Sequence, residues 1–273
     1  MIPSNSNQLF LRHFQTFVDS FINESLSSDE KQSIKTIELL RKEIERSTEP
    51  IEILNYGTSK RKPRSLVESE QGWVSNSTVG AVCKRGSKNH LWGRFLMQLI
   101  GHMSPHLCLE LGTCVGISAA YQATSLAKTG GKLVTIEGSP VLVKIAKKNI
   151  ERLNLSDYVD FVTGSFQSTL SMVLDKYKVF DYVFIDGHHD EIATYQYFEQ
   201  IYPYLSTNAI IIFDDINWSE GMQKVWKKIW EDPRINVSVD FEDIGICLFC
   251  SNFTSKKLHT LIPKSNLRKN VSN

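Results

Sequence analysis

Apolar residues recur at helical spacing near the start of the chain, thin out through a polar stretch, and return from residue 107 onward as short β-rich runs. Phe10, Phe14, Phe17, Phe21 and Ile22 form one stripe and Ile34, Ile37, Leu40 and Ile44 a second. Such spacing predicts two amphipathic helices within residues 8–47. Ser28 or Asp29 is placed to cap the second helix. Residues 51–90 lose the period, with Gly57, Pro63, Gly72, Gly80 and Gly86 set in polar sequence and a basic run Lys60-Arg61-Lys62-Pro63-Arg64. This reads as a mobile connector or lid, and the basic run as a solvated loop. Trp92 to His102 then predicts a helix leading into the first core strand.

Strands are expected near 107–111, 132–137, 158–163, 181–186 and 208–214, with helices between them. That alternation implies an α/β, doubly wound parallel sheet with helices on both faces. After a helix from Glu220 to Trp230, the runs Ile235 to Phe241 and Ile244 to Cys250 are separated by a short turn, so an antiparallel hairpin is expected to end the sheet. The predicted organisation is N-terminal helices and a connector or lid over 1–90, one α/β domain over 91–255, and a loose polar tail over 256–273.

Composition changes this picture little. A length of 273 residues, 41% hydrophobic and 22% charged, suits a globular α/β domain with an appendage rather than a disordered or membrane protein. A net charge of +1 supplies no general attraction to nucleic acid, and no nucleic-acid partner is expected. Residues 1–7 lack the charged-then-apolar layout of a secretion signal and no run reaches membrane-span length, so a cytoplasmic location is expected. The five cysteines sit mostly in apolar strands, and Cys247-Leu248-Phe249-Cys250, unaccompanied by a second pair, reads as core packing rather than a zinc or redox site.

Candidate chemistry begins at Cys108 to Ser118, an apolar strand running through a glycine turn into a helix. Gly112 and Gly116 allow close backbone approach, and the helix N-terminus offers N–H groups to polar ligand atoms. A dinucleotide fingerprint would need glycine where Cys114 and Ile117 stand. The pattern left is Glu-x-Gly-x-x-x-Gly. It resembles motif I of class I S-adenosylmethionine-dependent methyltransferases, and most closely the catechol O-methyltransferase-like branch in its bacterial small-molecule form, which carries Phe-Asp-Asp-Ile-x-Trp as residues 213–218 do here. The resemblance covers about residues 90 to 250 and implies a Rossmann-like seven-stranded sheet.

Glu137 ends the second core strand, where a carboxylate can accept both hydroxyls of a ribose. Asp186 ends the fourth strand, and Asp214 and Asp215 end the fifth. Three converging carboxylates repel one another unless a cation lies among them, and an all-oxygen set suits a hard divalent ion, with Mg²⁺ the expected one. The resemblance carries the metal role to Asp186, Asp214 and Asp215, and cofactor binding to Glu110, Gly112, Gly116, Ser118, Glu137, Gly164, Ser165 and Asp186.

One departure bears on mechanism. Mammalian-type relatives carry a lysine general base three places after the first metal aspartate, and this chain has His189 there, preceded by His188. An imidazole suits proton removal at neutral pH, so His189, and secondarily His188, is the candidate base. The two histidines can instead be a metal ligand and a structural hydrogen-bonding residue. Trp218 and the segment from Tyr56 to Trp73 are candidates for the substrate wall. The resemblance therefore implies metal-dependent O-methylation of a small-molecule hydroxyl, with methylation of RNA or protein, or a non-catalytic cofactor-binding scaffold, as alternatives. The N-terminal helices offer a surface for a homodimer.

Overall fold

A computed structural model describes residues 5–57, 66–250 and 258–267. Its elements in chain order are α1 (Asn5–Ile22), α2 (Ser28–Glu45), β1 (Pro50–Asn55), α3 (Leu66–Gln71), β2 (Trp73–Thr78), α4 (Val79–Gly86), α5 (His90–Met103), β3 (Leu107–Leu111), α6 (Ile117–Thr129), β4 (Lys132–Glu137), α7 (Pro140–Arg152), β5 (Val159–Thr163), α8 (Phe166–Tyr177), β6 (Phe180–Ile185), α9 (Glu191–Ile201), β7 (Leu205–Asp214), α10 (Glu220–Trp230), β8 (Val237–Asp240), β9 (Ile244–Cys250), β10 (Leu258–Leu261) and α11 (Lys264–Leu267).

The strands β3 to β10 form one sheet of eight in the order β10-β8-β9-β7-β6-β3-β4-β5. All neighbours run parallel except β9, which is antiparallel to both β7 and β8. The expected doubly wound fold and its closing hairpin are therefore present. Chain order reverses at β3, which has β4 on one side and β6 on the other, so the crevice lies at the carboxyl ends of β3 and β6. Successive strand residues point to opposite faces: Cys108, Tyr182 and Phe184 join one apolar layer, and Leu109, Val183 and Ile185 the other. Burial on both faces explains why these strands read as nearly continuous apolar runs.

The apolar stripes of α1 and α2 close the first layer within the chain. Phe17 and Phe21 each meet Phe95 of α5 edge-on, with ring centroids 5.0 Å apart. The cap of α2 is Ser27 rather than Ser28 or Asp29: its hydroxyl accepts from the Glu30 N–H while the Glu30 carboxylate accepts from the Ser27 N–H. Ser28 and Asp29 lie inside the first turn instead, where Asp29 faces the positive end of the helix dipole.

Two regions differ from the sequence reading. Where a mobile connector is expected, β1 and β2 form a two-stranded antiparallel sheet, with Ile51 and Ile53 buried on alternate positions. It is pinned at Gly80, where a Cβ would stand 2.6 Å from the carbonyl oxygens of Glu45 and Ser47, so only glycine lets the backbones meet. Glycines marked the segment as broken, yet they serve close approach rather than mobility. The basic run at 60–64 lies outside the described residues. The tail is likewise not loose between 258 and 261: β10 adds an edge strand parallel to β8, His259 stacks on Trp230 at 4.2 Å, and the Ser238 hydroxyl lies 2.8 Å from His259 Nδ1. The four residues of β10 are exposed, so their side chains gave no burial pattern to read. Cys247 and Cys250 are buried in β9 and form no disulfide, in keeping with core packing.

Candidate active site

A cavity of about 740 Å³ opens at the carboxyl ends of β3, β4 and β6. Its floor comes from the sheet and its outer wall from the N-terminal part of the chain, including Tyr56 of the β1 exit, Trp73 of β2 and Arg85 of α4.

On one side Gly112 ends β3 at φ +103, and a Cβ there would lie 1.9 Å from the Asp186 carbonyl oxygen. The glycine is thus required by the neighbouring strand end as well as by any ligand. Glu137 lines the cavity with its carboxylate held from behind, accepting from the Cys114 and Ser139 N–H groups at 2.9 Å each. Each oxygen keeps a lone pair for a further donor. Ser165 also lines the cavity and caps α8 by accepting from the Ser168 N–H. The other residues assigned to cofactor binding stand behind this surface. Glu110 is fully buried, its oxygens accepting from Gln122 Nε2 and Thr135 Oγ1 at 2.6 Å each, and Ser118 bonds to it as well. Burial pushes the Glu110 carboxyl up to about 7 against these hydrogen bonds. Gly116, at φ +85, begins α6 against Ala146 of α7, and Gly164 packs on Thr169. The acidic residue of the motif is here a strut that ties β3 to α6 and β4.

On the other side stand the charged residues. Asp186, His189 and Asp214 each offer a ligand atom, and the three atoms lie within 4.8 Å of one another. Asp215 is not in that set. It turns at φ +54 and places Oδ2 3.7 Å from His189 Nε2, while Asp186 Oδ1 lies 3.9 Å from the same nitrogen. His188 and His189 also hold left-handed backbone, at φ +69 and +42. Strained non-glycine residues gathered on two adjacent strand ends are what a functional site shows. His189 lines the cavity, and its ring lies 5.7 Å from that of Trp218. Burial lowers its pKa, with Asp215 and Asp214 opposing. Burial also raises the Asp186 carboxyl, and it raises that of Asp214 to about 7, aided by the charge of Asp186. His188 is buried, with Nδ1 2.7 Å from the Tyr197 hydroxyl, and it also lines the cavity.

Lys88, which no motif marks, completes the cluster. Its ammonium bonds Asp214 Oδ2 and lies 3.4 Å from Asp186 Oδ1. Burial works against this charge, but Asp186, Asp214 and Asp215 more than compensate and raise its pKa. The residue sits between two helices in a polar segment, with neither spacing nor motif to connect it to carboxylates 98 and 126 positions away.

The two carboxylates of this set, Asp186 and Asp214, fit a divalent ion of the Mg²⁺ or Mn²⁺ type as hard oxygen ligands, and leave the His189 imidazole beside it. A family described as "Methyltransferase domain" matches residues 109–216. This segment is a methyltransferase domain. It spans β3 to the residue after the Asp214-Asp215 pair, so both halves of the cavity floor fall inside it. The catechol O-methyltransferase of Niastella koreensis is 31% identical over 125 residues, which are 45% of this chain and 55% of that protein. The chain spans about half the length of the curated relatives it matches. Among solved structures, an O-methyltransferase from Bacillus cereus in complex with SAH is 28% identical with a TM-score of 0.52, over 60% of this chain and 83% of that one. An SAH-bound methyltransferase from Podospora anserina shares the fold over 91% of this chain and 98% of its own, with a TM-score of 0.56 at 16% identity. The methyltransferase domain therefore has the class I fold, carried by the reversal at β3.

Proposed function

We propose that the chain is an S-adenosylmethionine-dependent O-methyltransferase acting on a hydroxyl of a small molecule, with a divalent ion held by Asp186 and Asp214. The observation that carries this reading is the division of one cavity into a nucleoside half at Gly112, Glu137 and Ser165 and a charged half at Asp186, His189 and Asp214. Glu137 accepts the ribose hydroxyls with oxygens already oriented by two backbone N–H groups. Tyr56 lies over Gly138, where a Cβ would approach its ring to 2.3 Å, and encloses the nucleoside from the solvent side. A divalent ion supplies orientation and acidification of the acceptor hydroxyl. His189, kept neutral by burial, removes that proton, and Asp215 stabilises the resulting imidazolium from 3.7 Å. Asp215 thus serves the base rather than the ion. Trp218, beside His189, forms the acceptor wall and excludes water from the methyl transfer. No helix of the described residues is long and apolar enough to cross a membrane.

The test is incubation with methyl-labelled S-adenosylmethionine and fractionated cell extract. Label recovered in small hydroxylated molecules, lost in excess chelator and restored by Mg²⁺, is the expected result. Label confined to RNA or protein, or transfer unaffected by chelation, overturns the corresponding part of the reading.

A further inference from the structure

The Asp186 and Asp214 pair already has a cation. Lys88 reaches it from the turn between α4 and α5, with its ammonium on Asp214 Oδ2 and 3.4 Å from Asp186 Oδ1. Its side chain is 13% exposed and that of Asp214 1% exposed, so the contact is sealed from water rather than a surface pair. The same two carboxylates are two of the three groups whose donor atoms converge within 4.8 Å. An ammonium and a divalent ion on one carboxylate pair compete for the same oxygens and repel each other at short range in a poorly screened site.

The backbone of Lys88 is anchored independently of its side chain. Arg41 of α2 is buried, pairs with Glu38 at 2.9 Å, and donates from Nη2 to the Lys88 carbonyl oxygen. The anchor fixes the chain at Lys88 and leaves four flexible methylenes between it and the ammonium. A second acidic group is at hand for the displaced charge, because Asp215 follows Asp214 in the chain and its side chain is 38% exposed.

We propose that Lys88 is the resident cation of the ion-free site and that a divalent ion enters by displacing the Lys88 ammonium from Asp186 and Asp214. This rests on the reading of those carboxylates as the ion site. The Lys88 ammonium offsets part of the repulsion between the two buried carboxylates, so the cavity keeps its shape before the ion arrives. Ion entry then swings a side chain rather than opening the fold, and Lys88 sets the concentration at which the ion binds.

The test uses Mn²⁺ as the probe on the full chain, with its free-ion paramagnetic resonance signal as readout. Lys88→Met is expected to bind Mn²⁺ roughly 10-fold or more tightly than the wild type, the gain when a site open about a tenth of the time or less becomes open throughout. Equal affinity in the two proteins overturns the displacement and leaves the ion site standing. Absence of Mn²⁺ binding in both overturns the ion-site reading itself. If Lys88→Met does not fold, the wild type alone decides. Acylation of Lys88 by an amine-reactive ester, followed by mass spectrometry, should accelerate several-fold once Mn²⁺ saturates the site. An unchanged labelling rate with Mn²⁺ bound overturns the proposal.

Discussion

The two halves of the cavity are built on opposite principles. On the nucleoside side the polar groups have partners within the fold: Glu110 is tied to Gln122 and Thr135, Glu137 to two backbone N–H groups, and Ser165 to the start of α8. On the charged side, carboxylates are packed together at low exposure, burial opposes the charges of Asp186, Asp214 and His189, and three non-glycine residues hold left-handed backbone. A surface satisfied from behind is a rigid receptor for a ligand of fixed shape. A surface on which two carboxylates, an imidazole and an ammonium crowd one another within a few ångströms holds reactive groups whose protonation can change during turnover. The difference implies that substitutions on the charged side act on rate and those on the nucleoside side on affinity or stability.

The largest effect is expected at His189. His189→Ala should lower the turnover rate by roughly 100- to 10,000-fold with cofactor affinity preserved, because a general base contributes on that order and does not touch the nucleoside. The wild-type rate should fall on acidification, and since burial lowers the pKa of His189 the fall should lie below the ordinary imidazole value of about 6.5. Steady-state rates across pH for both proteins check this. Near-normal turnover with an unchanged acidic limb in the variant would remove His189 from the reaction and erase the contrast between the halves.

Glu110 tests whether the nucleoside side is structural at its base. Its carboxyl is raised to about 7 from 4.5, so the folded state holds a proton over that interval that the unfolded chain releases. Its contribution to stability is full below pH 4.5 and is lost as pH rises through about 7. The total is about 3 kcal/mol, from 1.36 kcal/mol per pKa unit. Denaturant melts from pH 4.5 to 8 should show wild-type stability declining relative to Glu110→Gln by about that amount. Parallel curves for the two proteins would mean that Glu110 is not a buried strut.

The sheet was readable because its strands are buried on both faces, which leaves a hydrophobic run at each of 107–111, 132–137 and 181–186. The strand-end carboxylates were readable for the same reason, as acidic residues terminating those runs. What stayed hidden came from outside the α/β core. β1 and β2 are short and polar on their open faces, and the exposed β10 has no alternation to detect. The motif selected Glu110 and Ser118 but could not say which way they face: along β3 a residue one position away points to the opposite side, and Ser118 on α6 turns to Glu110. Lys88 and Arg41 depend on the docking of α2 and the α4 to α5 turn over the strand ends, a packing that leaves no local period.

Glu137 should show the affinity signature of the nucleoside side. Glu137→Ala removes the acceptor for the ribose hydroxyls and frees the Cys114 and Ser139 N–H groups at once. Calorimetric binding of S-adenosylmethionine should weaken by about 1 to 3 kcal/mol, the cost of unpairing a charge-assisted hydrogen-bonding group. A large loss of turnover at saturating cofactor, with affinity unchanged, would place Glu137 in the charged half instead.

The smallest effects lie in the aromatic wall, and they separate the two halves most finely. Tyr56 stands over Gly138, beside Glu137, whereas Trp218 lies 5.7 Å from His189. If each ring serves its own side, Tyr56→Ala should weaken cofactor binding by about 0.5 to 1.5 kcal/mol, the contribution of one aromatic contact beyond the area it buries, and leave the acceptor KM unchanged. Trp218→Ala should do the reverse, raising the acceptor KM with cofactor affinity intact. Both are read from cofactor calorimetry and from acceptor saturation curves at saturating S-adenosylmethionine. Equal losses of cofactor and acceptor affinity in both variants would show one continuous aromatic enclosure, and the division of the cavity would then stop at its floor.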